Sequence, residues 1–281
     1  MISSTETLPG IPPSPPTDQP QAQEPRGITL EFLPNRRIRL TPILPELEQI
    51  LIQTIKCNHI PEAVQTGKMF KRNGDSLETD LGFLPRIDHE LTQLGVEINV
   101  INGVRRLIPQ CNEQFLRNLS NGEKELLQEL VESLVGNYLV LPEDYNVIQL
   151  LTALIGAFGK SRILITVPTK RRVLELISSL NFRLRDSQIA FESINGKLDV
   201  PRFATCTHSL LQMIPSDSTD ILIVEDAHLL SGPRFRKSVK KFPTLKFGLT
   251  RKTENAREDK AMLLEGIFGP CLNLEDFLKQ S

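Results

Sequence analysis

The stretch Ile221-Leu222-Ile223-Val224-Glu225-Asp226-Ala227-His228 decides the fold. Four consecutive aliphatic residues predict a short strand buried on both faces, as in a parallel sheet covered by helices. Two carboxylates and a histidine come directly after this strand. Since open α/β sheets bind ligands at the carboxyl ends of their strands, Glu225, Asp226 and His228 are candidate site residues. The alternative is an ordinary acidic turn, with Asp226 or Ser231 capping the next helix.

The surrounding sequence, from Leu119 onward, alternates predicted strands with predicted helices. Ser120 and Glu123 have the spacing of a capping box, which predicts a helix start. Short apolar strands that alternate with helices argue for an α/β domain with a mostly parallel sheet flanked by helices. The strands are predicted at Tyr138–Leu141, Arg162–Val167, Gln188–Phe191, Arg202–Thr205, Ile221–Val224 and Leu245–Leu249. The later helices are predicted at Val147–Phe158, Lys170–Leu180, His208–Met213 and Leu274–Lys279.

The first 118 residues are organised differently. Residues 1–26 contain seven prolines and almost no apolar side chains, which predicts a disordered tail. Residues 27–109 predict a small α+β module, residues 110–118 a linker, and residues 119–281 the α/β domain. The module's strands are predicted at Ile28–Phe32, Arg36–Leu40 and Val96–Val100, and its helices begin at Pro45 and Pro85.

Composition narrows the possible functions. The net charge is −1, so the total charge indicates no partner. The four cysteines and four histidines have no metal-ligand spacing, so we expect no metal site and no disulfide scaffold, in a reducing cytoplasm. No apolar run approaches the ~18 residues of a spanning helix, and the N-terminus lacks the pattern of a signal peptide. We expect a cytoplasmic protein with no membrane partner.

The acidic stretch resembles the DEAH box of superfamily 2 DEAD/DEAH-type helicases, with the first two acids exchanged to give EDAH. This resemblance implies a RecA-like fold for residues 119–281. It extends to the small N-terminal module of repair-type and phage-type DEAH helicases, which is similar to residues 82–98. Three further stretches follow the family's order: Val167–Arg171 resembles motif Ia, Gly196–Leu210 is similar to the segment before the DEAH strand, and Phe247–Lys252 resembles the GLTAT motif.

The same resemblance shows where ATPase chemistry is missing. The family's first strand runs into a P-loop, P-T-G-x-G-K-T, where this chain reads Pro142-Glu143-Asp144-Tyr145-Asn146-Val147-Ile148. Asp144 and Asn146 replace the glycines whose bare backbone cradles phosphates, Val147 replaces the lysine, and Ile148 replaces the Mg²⁺ ligand. A carboxylate such as Glu143, about 4 Å from a phosphate charge, opposes binding by roughly 4 kcal/mol at an effective dielectric near 20. We expect the protein to bind no cofactor. It would bind ATP with Mg²⁺ only if this degenerate site were functional.

Two other elements support the loss of ATPase activity. Glu225 stands where an aspartate normally helps to hold Mg²⁺, and Asp226 where a glutamate orients the attacking water. Each carboxylate is displaced by about a methylene, and a misplacement of about 1 Å can cost on the order of 100-fold in rate. The sequence Gly159-Lys160-Ser161 spells GKS but follows a predicted helix and opens a strand, so we interpret it as a helix end.

Basic residues are concentrated in two segments. Seven Lys/Arg and one acid lie between Lys160 and Arg185, and nine Lys/Arg and one acid between Ser231 and Arg257. Such blocks can form a positive face that contacts phosphates independently of sequence. The alternative is a solvated surface balanced by acids elsewhere. The candidate nucleic-acid contacts are Thr169, Lys170, Arg171, Thr205, Thr207, Arg234, Arg236, Lys237, Lys240 and Lys241.

Three hypotheses for the function follow. The first is a catalytically degenerate helicase-like protein that binds nucleic acid without hydrolysing ATP, with DNA favoured over RNA by the resemblance. The second is a structural or assembly subunit that docks a protein partner. The third is one half of a split DEAH-type ATPase whose second RecA-like domain is supplied in trans.

Overall fold

A computed structural model describes residues 27–55, 69–103, 106–110, 113–187, 189–194, 199–251 and 258–280. In these residues the strands form two sheets, one of five strands and one of seven. The predicted tail, residues 1–26, lies outside the described residues, as do Gly196–Leu198 and Lys252. Within the described ranges, no helix is both long and apolar enough to cross a membrane.

The small sheet belongs to the predicted N-terminal module. Its order is β3-β4-β2-β1-β5, with β5 parallel to β1 and the other pairs antiparallel. Its strands are β1 Ile28–Leu33, β2 Arg37–Thr41, β3 Phe70–Asn73, β4 Ser76–Asp80 and β5 Ile98–Ile101. Its helices, α1 Pro45–Thr54 and α2 Leu84–Gln93, both carry proline in the first turn, as predicted.

The hairpin β3–β4 was not predicted. Its register pairs Asn73 with Ser76, which leaves Gly74 and Asp75 as a two-residue loop. Gly74 has φ +62°, in the left-handed region that such loops favour. The Gly74-Asp75 pair in the sequence is a hairpin signal that could have located it.

The large sheet confirms the α/β prediction. Its strand order is β12-β6-β11-β10-β7-β9-β8, and every pair is parallel. Its strands are β6 Asn137–Leu141, β7 Ile163–Val167, β8 Glu192–Ser193, β9 Phe203–Thr207, β10 Ile221–Val224, β11 Leu245–Arg251 and β12 Cys271–Asn273. The described helices around it are α3 Glu113–Leu116, α4 Asn121–Glu132, α5 Val147–Ala157, α6 Lys170–Leu184, α7 Pro233–Lys240, α8 Glu258–Phe268 and α9 Leu274–Gln280.

Local sequence signals explain several of these elements. The four residues of β10 are fully buried, as their aliphatic run predicted. The capping box at the start of α4 is formed in both directions between Ser120 and Glu123. Gly159 follows the end of α5, so the GKS sequence lies at a helix end and not in a loop between a strand and a helix.

Two predicted elements were wrong, and several described elements were not predicted. Of the strand expected at Gln188–Phe191, Gln188 lies outside the described residues, and the strand found is Glu192–Ser193. Phe191 is not in the strand because the side chain of Asn181 hydrogen-bonds both of its backbone groups, at 2.7 and 3.0 Å. The helix expected at His208–Met213 is only the 3-10 turn Leu211–Met213, since Pro215 prevents its continuation. The elements α3, α7, α8 and β12, like the hairpin β3–β4, were not predicted.

The small module packs directly on the large domain. The turn Leu81–Phe83 lies against α8 so closely that Gly82 has no space for a side chain. Arg86 forms an ion pair with Glu265, and Lys240 forms one with Asp80. Arg36 donates to the carbonyl of Val135 at 2.6 Å. The module is therefore held in place by backbone contact and by charged pairs.

Candidate nucleic-acid interface and degenerate nucleotide site

The carboxyl ends of the central strands bring the predicted site residues to one edge of the large sheet. Val224, the last residue of β10, is opposite Thr166 of β7 and Gly248 of β11. Glu225 and Asp226 follow β10 directly, and Thr169 follows β7. Thr169 is the N-cap of α6, because its hydroxyl accepts from the backbone N–H of Arg172 at 3.2 Å.

The carboxylate of Glu225 is occupied by an arginine. Arg172 Nε lies 2.8 and 3.0 Å from the two carboxylate oxygens, and a terminal nitrogen of the guanidinium also donates to Glu225. The Glu225 side chain is 11% exposed and that of Arg172 is 26% exposed. This hydrogen-bonded pair raises the pKa of Arg172. Arg172 was not among the predicted site residues.

Asp226 and His228 are held differently. Asp226 has φ +52° and ψ +46°, a left-handed conformation that is uncommon for a residue other than glycine. It precedes the 3-10 turn Ala227–Ser231 but makes no side-chain capping bond there, so the capping interpretation is wrong for Asp226. His228 Nδ1 lies 2.8 Å from the hydroxyl of Thr250 near the end of β11. This contact links the EDAH turn to the segment that resembles GLTAT.

A second histidine lies behind the same edge. His208 Nδ1 is 3.0 Å from the hydroxyl of Thr166, and its ring stacks on Phe235 of α7 at 4.2 Å. Burial is the main cause that lowers the pKa of His208 to about 4, and the charge of His228 lowers it further. His208 is therefore neutral at pH 7 and acts as a packing residue.

We expect His208 to make stability depend on pH. Because its pKa is lower in the folded protein, the unfolded chain takes up a proton first as the pH falls below about 6.5, and stability then decreases until about pH 4. The loss is at most roughly 3 kcal/mol. Urea unfolding at pH 7.5 and 4.5 measures it. His208→Phe retains a ring against Phe235 and is expected to lose less stability on acidification; an equal loss in both proteins would contradict the assignment.

The loop at the P-loop position has a structure of its own. The hydroxyl of Tyr145 donates to Glu123 of α4, and the backbone N–H of Tyr145 donates to the carbonyl of Pro142 at 3.2 Å. Asn146 caps α5, because its side-chain oxygen accepts from the N–H of Ile148 at 3.2 Å. Glu143 and Asp144 are exposed, whereas Val147 and Ile148 are buried in the core. The N–H groups at this helix start are thus partly satisfied by the chain itself.

The predicted nucleic-acid contacts fall into two groups. The exposed group comprises Thr169, Lys170, Arg171, Arg234 and Lys237, while Arg236 is half-buried. In the second group, Thr205 is fully buried and Thr207 is nearly so. Lys240 pairs with Asp80, and Lys241 donates to the carbonyls of Gln212 and Ile214. The second group is therefore committed to the fold.

An open cleft of about 460 Å³ joins several of these residues. Thr169, Arg171 and Arg172 line it on the β7 side, and Glu225 and Asp226 line it on the β10 side. The exposed Arg251, at the end of β11, completes it. In the part of the chain that the structure describes, no group of three or more His, Cys, Asp or Glu could hold a metal ion.

Comparisons with solved structures place this geometry in a known fold. A crystal structure of the UvsW helicase from bacteriophage T4 has a TM-score of 0.62 and 15% identity, and the match covers 88% of this chain and 99% of that one. The fold is that of the UvsW helicase. A second T4 UvsW structure has the same TM-score and identity, but this chain spans only 57% of its length. No family model matches the sequence, and no curated protein matches it closely.

The helicase fold covers both sheets, since the matched 88% of the chain exceeds the large domain alone. It does not account for Arg172. Arg172 lies beside Glu225, 53 positions away in the chain, because β7 pairs with β10. The sequence pattern did not reveal this pairing.

Proposed function

We propose that this protein binds the phosphate backbone of nucleic acid at the carboxyl edge of the large sheet, without binding or hydrolysing ATP. The observation that carries the proposal is that Glu225 is paired with Arg172, while other cations at the same sheet edge are exposed to solvent. The acid that resembles a Mg²⁺ ligand is already neutralised. Lys170, Arg171 and Arg251 remain available to solvent at the same edge.

The residues at the nucleotide position do not fit a triphosphate. A phosphate there requires free backbone N–H groups and a cation. Asn146 instead satisfies the N–H of Ile148, and the aliphatic Val147 is buried where the family has lysine. Glu143 and Asp144 add two exposed negative charges. No step of a reaction is therefore assigned to ATP or to a metal ion.

The exposed cations do fit a phosphate backbone. Lys170 and Arg171 open the first turn of α6, directly after the capping Thr169. Arg234 and Lys237 lie on α7, whose Phe235 contacts His208 just beyond β9. The two basic segments thus flank the same sheet edge. Lysine and arginine contacts with phosphate release counterions, so binding is expected to weaken with salt.

We expect the double variant Lys170→Ala/Arg171→Ala to bind short DNA or RNA roughly tenfold more weakly, with the salt slope reduced by roughly 1 to 2. Fluorescence anisotropy at two salt concentrations, with labelled single-stranded and double-stranded oligonucleotides of both kinds, measures this. By resemblance to the helicases, DNA is expected to bind more tightly than RNA.

The matched control is Arg183→Ala/Arg185→Ala. These two exposed arginines lie at the other end of the same helix, so the control removes the same charge far from the cleft. Its affinity is expected to stay within about twofold of the unchanged protein. Equal weakening by both double variants would show a diffuse charge effect and contradict the proposed interface.

We also expect no heat of binding when Mg²⁺-ATP or Mg²⁺-ADP is titrated into the protein at millimolar concentration. The physical reasons are the capped start of α5 and the carboxylates at 143 and 144. Isothermal titration calorimetry checks it. A sub-millimolar affinity would contradict the proposed loss of ATP binding and favour an ATPase that is completed by a second domain in trans.

A protein partner is the second candidate. Leu174 and Phe182 lie on one face of α6 and are 66% and 70% exposed. Exposed apolar side chains of this size on one helix are typical of docking surfaces. If Leu174→Ser/Phe182→Ser abolishes a complex and leaves nucleic-acid affinity unchanged, this candidate gains support.

A further inference from the structure

A second cavity lies at the amino edge of the large sheet, opposite the cleft described above. Its volume is about 320 Å³. Its walls come from residues that precede β6, β7, β10 and β11, together with Arg36 of the small module and residues 106–107. It shares no lining residue with the carboxyl-edge cleft.

Arg36 is the unusual residue of this cavity. It lies in the turn between β1 and β2, where Asn35 and Arg36 both adopt left-handed conformations, with φ of 62° and 56°. Its guanidinium donates to the carbonyl of Val135 at 2.6 Å, but no acidic side chain of the described residues pairs with it. Burial lowers the pKa of Arg36 to about 10. The Arg36 side chain is only half-buried, and an anion in the cavity would give its guanidinium a counter-charge.

The charges around Arg36 leave a positive surplus. Three arginines (Arg36, Arg106 and Arg162) and two acids (Asp217 and Asp220) line the cavity, which is a surplus of one positive charge. Lys246 is buried close by, but burial disfavours its charged form and lowers its pKa well below the usual value, so it adds nothing to this surplus. Of the two acids that line the cavity, Asp220 is held by Arg162 through contacts of 2.9 and 3.3 Å. Asp217 lies near the same arginine.

One neutral group of the cavity also lacks a partner. The hydroxyl of Thr244, just before β11, is buried and has no hydrogen-bond partner among the described residues. Thr244 lines the cavity together with Arg36 and the exposed Arg106. Native proteins rarely leave a buried hydroxyl unsatisfied, and a polar group bound next to Thr244 would give this atom a partner.

The remaining wall is apolar. Leu107, Val131 and Leu134 line one side, and Pro243 and Leu245 line the other. The volume exceeds that of a single inorganic oxyanion, and apolar walls with a few polar groups are typical of sites for small organic ligands.

We propose that this cavity binds a small organic anion, with its oxyanion head at Arg36, Arg106 and Thr244 and its apolar part against the leucines of the wall. The head is a phosphoryl monoester or a carboxylate, since both accept paired hydrogen bonds from guanidinium. This site is independent of the nucleic-acid interface, which lies at the opposite edge of the sheet.

Calorimetric titration of the full chain tests the proposal with phenyl phosphate, benzoate and phenol. Binding of one or both anions, with no binding of neutral phenol, is expected, and the better anion identifies the head group. Arg36→Met is expected to weaken binding at least about tenfold, and Thr244→Val several-fold, because each removes a bond to a charged group.

Lys71→Met is the matched control, since it removes one charge at an exposed position of β3 that lines neither cavity, and it is expected to leave anion affinity unchanged. Arg106→Met, at an exposed position, provides the arginine test if Arg36→Met does not fold. Failure of both anions to bind, equal binding of phenol, or unchanged affinity in Thr244→Val together with either arginine variant would overturn the proposal. Loss of anion binding in Arg36→Met with nucleic-acid affinity intact would separate the two sites.

Discussion

Replacing Gly82 with alanine is expected to destabilise the protein by roughly 3 kcal/mol and to loosen the small module from the large domain. A Cβ atom at this position would lie 1.9 Å from the carbonyl oxygen of Glu265 and 2.7 Å from that of Gly266. Both are backbone atoms of α8, so no side-chain rotation relieves the clash. The turn Leu81–Phe83 must move away, and the pairing of Arg86 with Glu265 is expected to weaken with it.

Urea unfolding followed by circular dichroism measures this change. Gly103→Ala is the matched control, because a Cβ atom there would have no neighbour within 4 Å. We expect the control to stay within about 0.5 kcal/mol of the unchanged protein. A Gly82→Ala protein of unchanged stability would show that the module is not packed on α8 as described.

Replacing Glu225 with glutamine is expected to destabilise the protein by roughly 2 kcal/mol. The substitution preserves the shape of the side chain but removes the negative charge that faces Arg172. The Arg172 side chain is 26% exposed, so its guanidinium would then remain partly desolvated without a counter-charge. Arg172→Met is expected to have a similar effect, since it leaves the more deeply buried carboxylate unpaired.

A double-mutant cycle separates this pair from general effects of substitution. The variant with both changes is expected to be more stable than the sum of the two single effects predicts, with a coupling of roughly 2 kcal/mol. The control pair is Arg171 with Glu175, which lie four positions apart on α6 at a distance of 2.8 Å, with side chains 90% and 47% exposed. Its coupling is expected to be about 0.5 kcal/mol. Equal couplings would contradict the proposed role of Arg172.

These two predictions differ in how far the sequence alone could support them. Gly82 was part of the stretch that resembles the accessory module of DEAH helicases, but nothing in the pattern indicated α8 as its neighbour. Arg172 lies inside a basic segment in which the sequence predicts Lys170 and Arg171, but not Arg172, as phosphate contacts. Only the parallel pairing of β7 with β10 shows that Arg172, and not Arg171, reaches Glu225.

The sequence by itself determined the features that depend on near neighbours along the chain. These include the capping box at Ser120, the buried strand Ile221–Val224, the alternation of strands with helices, and the absence of phosphate-binding glycines after β6. Each follows from periodicity, backbone conformation or the chemistry of residues only a few positions apart. For this reason the α/β fold class and the candidate edge of the sheet could be predicted.

Only the tertiary structure decided which charges are neutralised and which remain free. Lys240 pairs with Asp80 and Lys241 donates to backbone carbonyls, whereas Lys170 is exposed. Arg36 came to line the same cavity as Thr244, more than 200 positions away in the chain. The physical reason is that an ion pair or a buried polar group depends on the order of strands in the sheet and on burial, and both are set by contacts between distant segments.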